Sequence, residues 1–141
     1  MTTNKLTSAQ KKRVSKALNE VPYARLLGIK LEQIESGRAT LQMRVRKQLT
    51  QNHGVVHGGA MASLIDSATA FAIITLLTPE EKVTTVDLTI SYVRPVTKGQ
   101  VNCTAKVVRA GRRLFVVSAE VFDYRQKLVA TALSTYIKIS D

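Results

Sequence analysis

The stretch from Gly58 to Leu77 is apolar on nearly every helical face and carries the longest helical pattern in the chain. A helix with no polar side cannot lie on a surface, so something must enclose it. The rest of the sequence offers mostly strands. Ile29–Glu35 and Ala39–Arg46 come before the helix, and in the second of these Leu41, Met43 and Val45 alternate with Thr40, Gln42 and Arg44. Val83–Val93, Val101–Ala110, Leu114–Tyr124 and Lys127–Ile139 come after it, with breaks at Arg94-Pro95 through Gly99-Gln100, at Gly111-Arg112-Arg113 and at Tyr124-Arg125-Gln126. Only a curved antiparallel sheet is large enough to wrap such a helix. The expected fold class is therefore α+β, one long central helix inside about six antiparallel strands. The helix is expected to stop at Thr78-Pro79. Thr7–Leu18 reads as a short basic helix, capped by Thr7 or Ser8, with Val14, Ala17 and Leu18 as its apolar stripe, and Tyr23–Leu27 adds a turn. The chain is read as one domain over residues 1–141, with 1–21 as a basic helical extension. A single-helix sheet leaves an open edge and an uncovered face, for which oligomerisation is the ordinary remedy.

Composition narrows the function classes. The 141 residues, 45% hydrophobic and 22% charged, suit one ordinary globular domain. A single cysteine, Cys103, excludes an intramolecular disulfide and a multi-cysteine metal site, and no metal is expected. Met1–Glu20 is polar and basic without an apolar core, so a secretory signal is not expected and the location is read as cytoplasmic. His57, Ser63, Asp66, Ser67, Thr69 and Thr75 interrupt the apolar run, which fits a buried helix and no membrane span. The net charge of +11 is uneven: residues 1–50 hold 11 Lys/Arg against 3 Asp/Glu, residues 51–100 hold 3 against 4, and residues 101–141 hold 7 against 3. With aromatics at 5% and no tryptophan, a nucleic-acid partner is not expected. The cations from Arg94 to Arg113 suit a polyanionic small molecule.

The chemistry concentrates where the helix begins. Gln51-Asn52-His53-Gly54-Val55-Val56-His57-Gly58-Gly59 places two glycines at a helix mouth, where backbone N–H groups stay uncovered and a ligand oxygen can approach closely. The helix dipole adds about half a positive elementary charge there, which suits a developing oxyanion. Two turns on, Asp66 stands inside the most apolar segment, and no arginine lies three or four residues away to pair with it. An unpaired buried carboxylate is costly and marks a functional candidate. Gly58 N–H as carbonyl donor, Asp66 as nucleophile or general base and Gln51 as orienting amide would serve an acyl-transfer reaction. Asn52 can take the place of Gln51 by a shift of one residue. Gly58 and Asp66 are eight residues, about 12 Å, apart on one helix, so one copy cannot readily bring both to the same carbonyl. His57 is read first as a loop buttress. It is grouped with Gly59, Asn52, Arg94, Arg112 and Arg113 as facing the substrate, the arginines at turns expected on the rim beside the helix start.

These residues carry a resemblance. Gln51-x-x-Gly54-x-x-His57-Gly58-Gly59 with an acid seven residues after the second glycine, the strand Thr85-Val86-Asp87-Leu88-Thr89-Ile90-Ser91-Tyr92, the Arg94-Pro95-Val96 exit and the Gly111 hairpin resemble hotdog-fold acyl-CoA thioesterases of the PaaI-like and aryl-CoA types. Ala70, four residues after the acid, departs from the Thr or Ser of some aryl-CoA enzymes and points to the PaaI-like group. The resemblance implies a hotdog fold, a homodimer or homotetramer with sites built from two subunits, and hydrolysis of an aryl- or medium-chain acyl-CoA. It also implies Thr85 as holder of the attacking water, and no cofactor beyond the coenzyme A of the substrate. Two other functions stay open: a hotdog hydratase or dehydratase acting on acyl thioesters, and a non-catalytic acyl-CoA-binding protein. Against the hydratase, none of the three prolines stands in an Asn-Pro between an Asp and a His. Against a DNA-binding sensor, the segment before Pro22 is too short for a helix-turn-helix unit.

Overall fold

The computed structural model describes residues 5–139. Two short helices lead in, α1 (Ser8–Asn19) and α2 (Pro22–Leu27), followed by β1 (Lys30–Glu35), β2 (Arg38–Arg44) and a 3-10 turn at Lys47–Leu49. The long helix is α3 (Gly58–Ile74), and β3 (Lys82–Tyr92), β4 (Gln100–Ala110), β5 (Leu114–Phe122) and β6 (Leu128–Ile139) complete the chain. The strands form one antiparallel sheet in the order β1-β2-β4-β5-β6-β3, which curves around α3. This is the hotdog arrangement.

Two periodicities meet in the core. The inward positions of β2 (Ala39, Leu41, Met43), β4 (Val101, Cys103, Ala105, Val107) and β5 (Phe115, Val117, Ala119, Val121) are all buried. They pack against α3, whose own buried residues fall on more than one helical face. Enclosing Leu64, Ile65 and Ile73, each 0% exposed, contributes roughly 1.5–3 kcal/mol per side chain. Burial also pushes the Cys103 thiol up to about 12, so it stays an unreactive core residue. Val14 and Leu18 dock α1 on this core, and its first turn is closed by a reciprocal bond pair between Thr7 and Gln10. Thr7, not Ser8, is the cap.

The central helix ends sooner than its apolar pattern suggests. It stops at Ile74, where the Thr75 hydroxyl donates to Ala72 O at 2.7 Å and accepts the Gly37 N–H at 2.7 Å. The second bond satisfies a buried amide of the β1–β2 turn, a partner that hydrophobic periodicity cannot reveal. It also pins the C-terminal end of α3 to the Gly37 end of the sheet.

The sheet's two edges differ. β1 is short, bulged between Leu31 and Gln33, and charged at Lys30, Glu32 and Glu35, which blunts it. β3 is 11 residues long, hydrogen-bonded to β6 along one side, and carries Val86 and Tyr92 at 59% and 51% exposure.

Candidate active site

Backbone ties aim the loop before α3. Gln51 N–H donates to Val55 O at 2.8 Å, and Gly54 turns the chain with φ 75. Val56 N–H donates to Val96 O and His57 N–H to Leu49 O, both at 2.8 Å, so the loop rests on the β3–β4 connection. His57 then caps the helix. Its Nδ1 accepts the Gly59 N–H at 2.8 Å, and its carbonyl accepts the N–H groups of Ala60 and Met61 at 3.0 and 3.2 Å. One N–H of the first turn has no partner among the described residues, that of Gly58. The cap thus leaves a single directed donor at the positive end of a 17-residue helix. His57 thus caps the helix, and the Gly59 amide is occupied by it.

Gly58 lines a cleft of about 350 Å³ together with Gln51, Met61, Tyr92, Arg94 and Val129. Of the two candidate amides, Gln51 lines the cleft; Asn52 lies beside it in the exposed turn. The Tyr92 hydroxyl donates to Gly58 O at 2.7 Å, and a Cβ at Gly58 would meet its ring at 3.4 Å. A Cβ there would sit in ordinary van der Waals contact with the ring, and Tyr92 forms the wall against Gly58. Arg94, on the same wall, donates from Nη1 to Leu128 O at 3.0 Å.

Asp66 stands in a separate cluster. Its side chain is half-buried, and Oδ1 accepts the Thr85 hydroxyl at 2.9 Å and the Tyr136 hydroxyl at 2.9 Å. The Tyr136 oxygen also lies 2.8 Å from Asp66 O and 2.8 Å from Thr69 Oγ1, and Thr69 can donate back to Asp66 O at 3.0 Å. Oδ2 takes no bond among the described residues, and no ion pair there includes Asp66. Among the described residues the carboxylate is held by hydroxyls alone, and one of its oxygens is free.

Sequence reasoning brought Asp66 and Thr85 to notice but missed Tyr136 and Thr69. A faint signal existed for each: Tyr136 is an inward polar residue near the end of an apolar strand face, and Thr69 lies one turn after the acid. Neither identifies its contact without the tertiary packing.

No residue of the Asp66 cluster lines the Gly58 cleft. A single chain therefore carries two separate groupings of polar residues, one at the mouth of α3 and one along its flank where β3 ends the sheet. The arginines also divide. Arg94 is at the cleft, but Arg112 and Arg113 are not beside the helix start of their own subunit, which corrects the expectation that both turns share that rim. β4 is 11 residues long, so its ends stand about 33 Å apart. Its first end adjoins Val45 and Gly99 near the cleft, whereas its last end adjoins Gly37 and hence the C-terminal end of α3. Among the described residues no group of three His, Cys, Asp or Glu could hold a metal ion, and no helix is long and apolar enough to cross a membrane.

Residues 53–130 match the Thioesterase superfamily. The chain belongs to this superfamily. A Saccharolobus solfataricus protein provisionally named an esterase is 31% identical over 88% of this chain and 82% of its own length. The medium/long-chain acyl-CoA thioesterase YigI of Escherichia coli is 28% identical, with 83% of this chain and 85% of the relative covered. The solved structure of the Escherichia coli PaaI protein superposes with a TM-score of 0.86 at 27% identity, covering 94% of this chain and 96% of that one. The protein is a hotdog-fold, PaaI-like thioesterase, a thioester hydrolase.

Proposed function

We propose that this thioesterase hydrolyses an aryl- or medium-chain acyl-coenzyme A, in sites that two subunits complete together. The observation that carries the reading is the division of one chain into a donor half-site at Gly58 and a carboxylate half-site at Asp66. The long β3 edge supplies the way to join them. An exposed strand of 11 residues with apolar side chains invites pairing, and antiparallel pairing with a second copy continues the sheet around a two-fold axis. Such pairing sets the Tyr92 end of one β3 against the Lys82 end of the other. It brings the cleft of one subunit toward the Asp66 flank of its partner. The homodimer is thus the smallest active unit, and pairing of two dimers into a homotetramer would cover further apolar surface such as Leu26, 68% exposed on α2.

In that site the Gly58 N–H donates to the thioester oxygen and stabilises the negative charge that develops on it. A preorganised donor of this kind contributes about 2.7–4 kcal/mol to the barrier reduction. Gln51 orients the carbonyl. A water attacks the carbonyl carbon while Asp66 Oδ2 takes its proton; the C–S bond then breaks, and the proton passes to the departing sulfur. The products are a carboxylic acid and a free thiol. The Thr85 proton is spent on Oδ1, so Thr85 can accept a hydrogen bond from that water but not donate one. In the other route open to the same geometry Oδ2 attacks the carbonyl carbon, the C–S bond breaks to release the thiolate, and water then hydrolyses the acyl–Asp66 anhydride to return the carboxylate.

The names of similar proteins favour acyl-CoA as the substrate class: YigI is called a medium/long-chain acyl-CoA thioesterase, and a Listeria monocytogenes relative a 1,4-dihydroxy-2-naphthoyl-CoA hydrolase. Colorimetric thiol release from a panel of aryl- and straight-chain acyl-CoAs tests the proposal. Turnover of at least one member is expected, and tight binding throughout with no thiol released would leave a binding protein instead.

The two-fold arrangement also gives the distant arginines a place. At the far end of the sheet, Lys138 N–H donates to Arg113 O, and β6 there borders the Lys82 end of β3. Pairing of the two β3 strands therefore carries the partner's Arg112 and Arg113 toward the cleft end of the first subunit. Replacing both by Ala is expected to raise KM for acyl-CoA several-fold with little change in kcat, because phosphate contacts are equal in ground and transition states. The effect should shrink at high salt and disappear for a truncated thioester lacking the nucleotide. An unchanged KM at low ionic strength would return these arginines to the solvated surface.

A further inference from the structure

We infer that Tyr136 is a positioning residue for the thioesterase reaction, donating its proton to Asp66 Oδ1 so that Oδ2 alone is presented to the substrate. The inference rests on the reading of Asp66 as the catalytic carboxylate.

Proton counting makes the assignment. Three hydroxyls surround Asp66, those of Thr69, Thr85 and Tyr136, and each has one proton to give. Thr85 spends its proton on Oδ1. Tyr136 has three oxygens within reach: Oδ1 at 2.9 Å, Asp66 O at 2.8 Å and Thr69 Oγ1 at 2.8 Å. Asp66 O already receives the helical amide four residues on, and Thr69 can add a second bond at 3.0 Å. An ionised carboxylate oxygen is a stronger acceptor than a neutral carbonyl that already has its partners. The Tyr136 proton therefore goes to Oδ1, and Thr69 donates to Asp66 O.

Two donors on one oxygen fix the carboxylate in a way that one cannot. Thr85 reaches it from the edge strand β3 and Tyr136 from β6, so rotation about either side-chain torsion breaks at least one charge-assisted bond. The Tyr136 ring cannot drift, being 2% exposed in the core. Burial raises its hydroxyl well above the ordinary tyrosine range, so it remains a donor at every working pH. The outcome is a carboxylate with one oxygen saturated and the other bare, set before the substrate arrives.

Tyr136→Phe tests this, with Ser134→Ala as the control. Ser134 is also buried on β6 and donates to Asp87 O at 2.9 Å, without touching Asp66. Tyr136→Phe is expected to lower kcat about 10- to 100-fold, the worth of one hydrogen bond to a charged group, and to leave KM within about twofold. Ser134→Ala should reduce thermal stability comparably yet keep kcat. In an Asp66→Asn background the Tyr136 change should cost nothing further, since the two act as a unit. 4-Fluorophenylalanine at position 136, which fills the hydroxyl's space without a proton to donate, should reproduce the loss if the Phe variant folds poorly. Wild-type kcat in the folded Tyr136 variants, or an equal kcat loss in Ser134→Ala, would overturn the positioning role. Full activity of Asp66→Asn would instead overturn the reading of the site beneath it.

Discussion

Asp66→Asn is expected to cut kcat by about 10²–10⁴-fold while leaving the fold and substrate binding almost unchanged. The separation of the two effects follows from the unequal carboxylate oxygens. Oδ1 accepts from Thr85 and Tyr136, each at 2.9 Å, and Oδ2 accepts from nothing among the described residues. Asparagine can place its amide oxygen at the Oδ1 position and keep both bonds. Its NH2 then replaces the one oxygen able to take a proton from water or attack a carbonyl. Removing the charge also removes the cost of holding a half-buried anion with no cation beside it, so the melting temperature should hold or rise. The measurements are steady-state thiol release, a melting curve and the affinity for a non-hydrolysable acyl-CoA analogue. Retention of more than a tenth of wild-type kcat, a loss below about 1.4 kcal/mol, would remove Asp66 from the reaction.

Mixing two inactive variants should restore activity. Gln51 lines the Gly58 cleft, whereas Asp66 belongs to the separate hydroxyl cluster, and eight helical residues separate Gly58 from Asp66 on one chain by about 12 Å. If each working site takes its cleft from one subunit and its carboxylate from the other, a dimer of one Gln51→Ala chain and one Asp66→Asn chain contains one site with both defects and one with neither. Random exchange of equal amounts makes half the dimers mixed, so recovery should approach about a quarter of wild-type turnover. Exchange is followed independently by mass spectrometry on differently tagged chains. Proven exchange without recovery would show that Gly58 and Asp66 of the same chain serve one carbonyl, and the composite site would fall. The restored activity should also decline on dilution if dissociation of the dimer is measurable, because mass action removes the complete site with the partner.

Much of this molecule is legible in its residues because the governing patterns are local. The apolar girth of Gly58–Ile74 demands enclosure, and alternation in Ala39–Met43 and Val101–Val107 builds a sheet with one buried face. The paired glycines after His57 announce a helix mouth. The isolated acid on that helix stands out for the same reason: within a few turns nothing in the sequence could neutralise it. Other features are decided by contacts between residues far apart in the chain. The end of α3 depends on a bond that the Gly37 N–H donates to Thr75, 38 residues away. The state of Asp66 depends on Tyr136, 70 residues away. A strand's side-chain period states which face a residue takes, but register and bulges decide which neighbour it meets, as the bulge between Thr85 and Asp87 does on β3. Arg112 and Arg113 show the same limit, since a hairpin's composition does not say at which end of the sheet it lies. Local periodicity therefore fixes the elements and their buried faces, whereas the assembly of the reactive groups is set by the packing of the whole sheet around one helix.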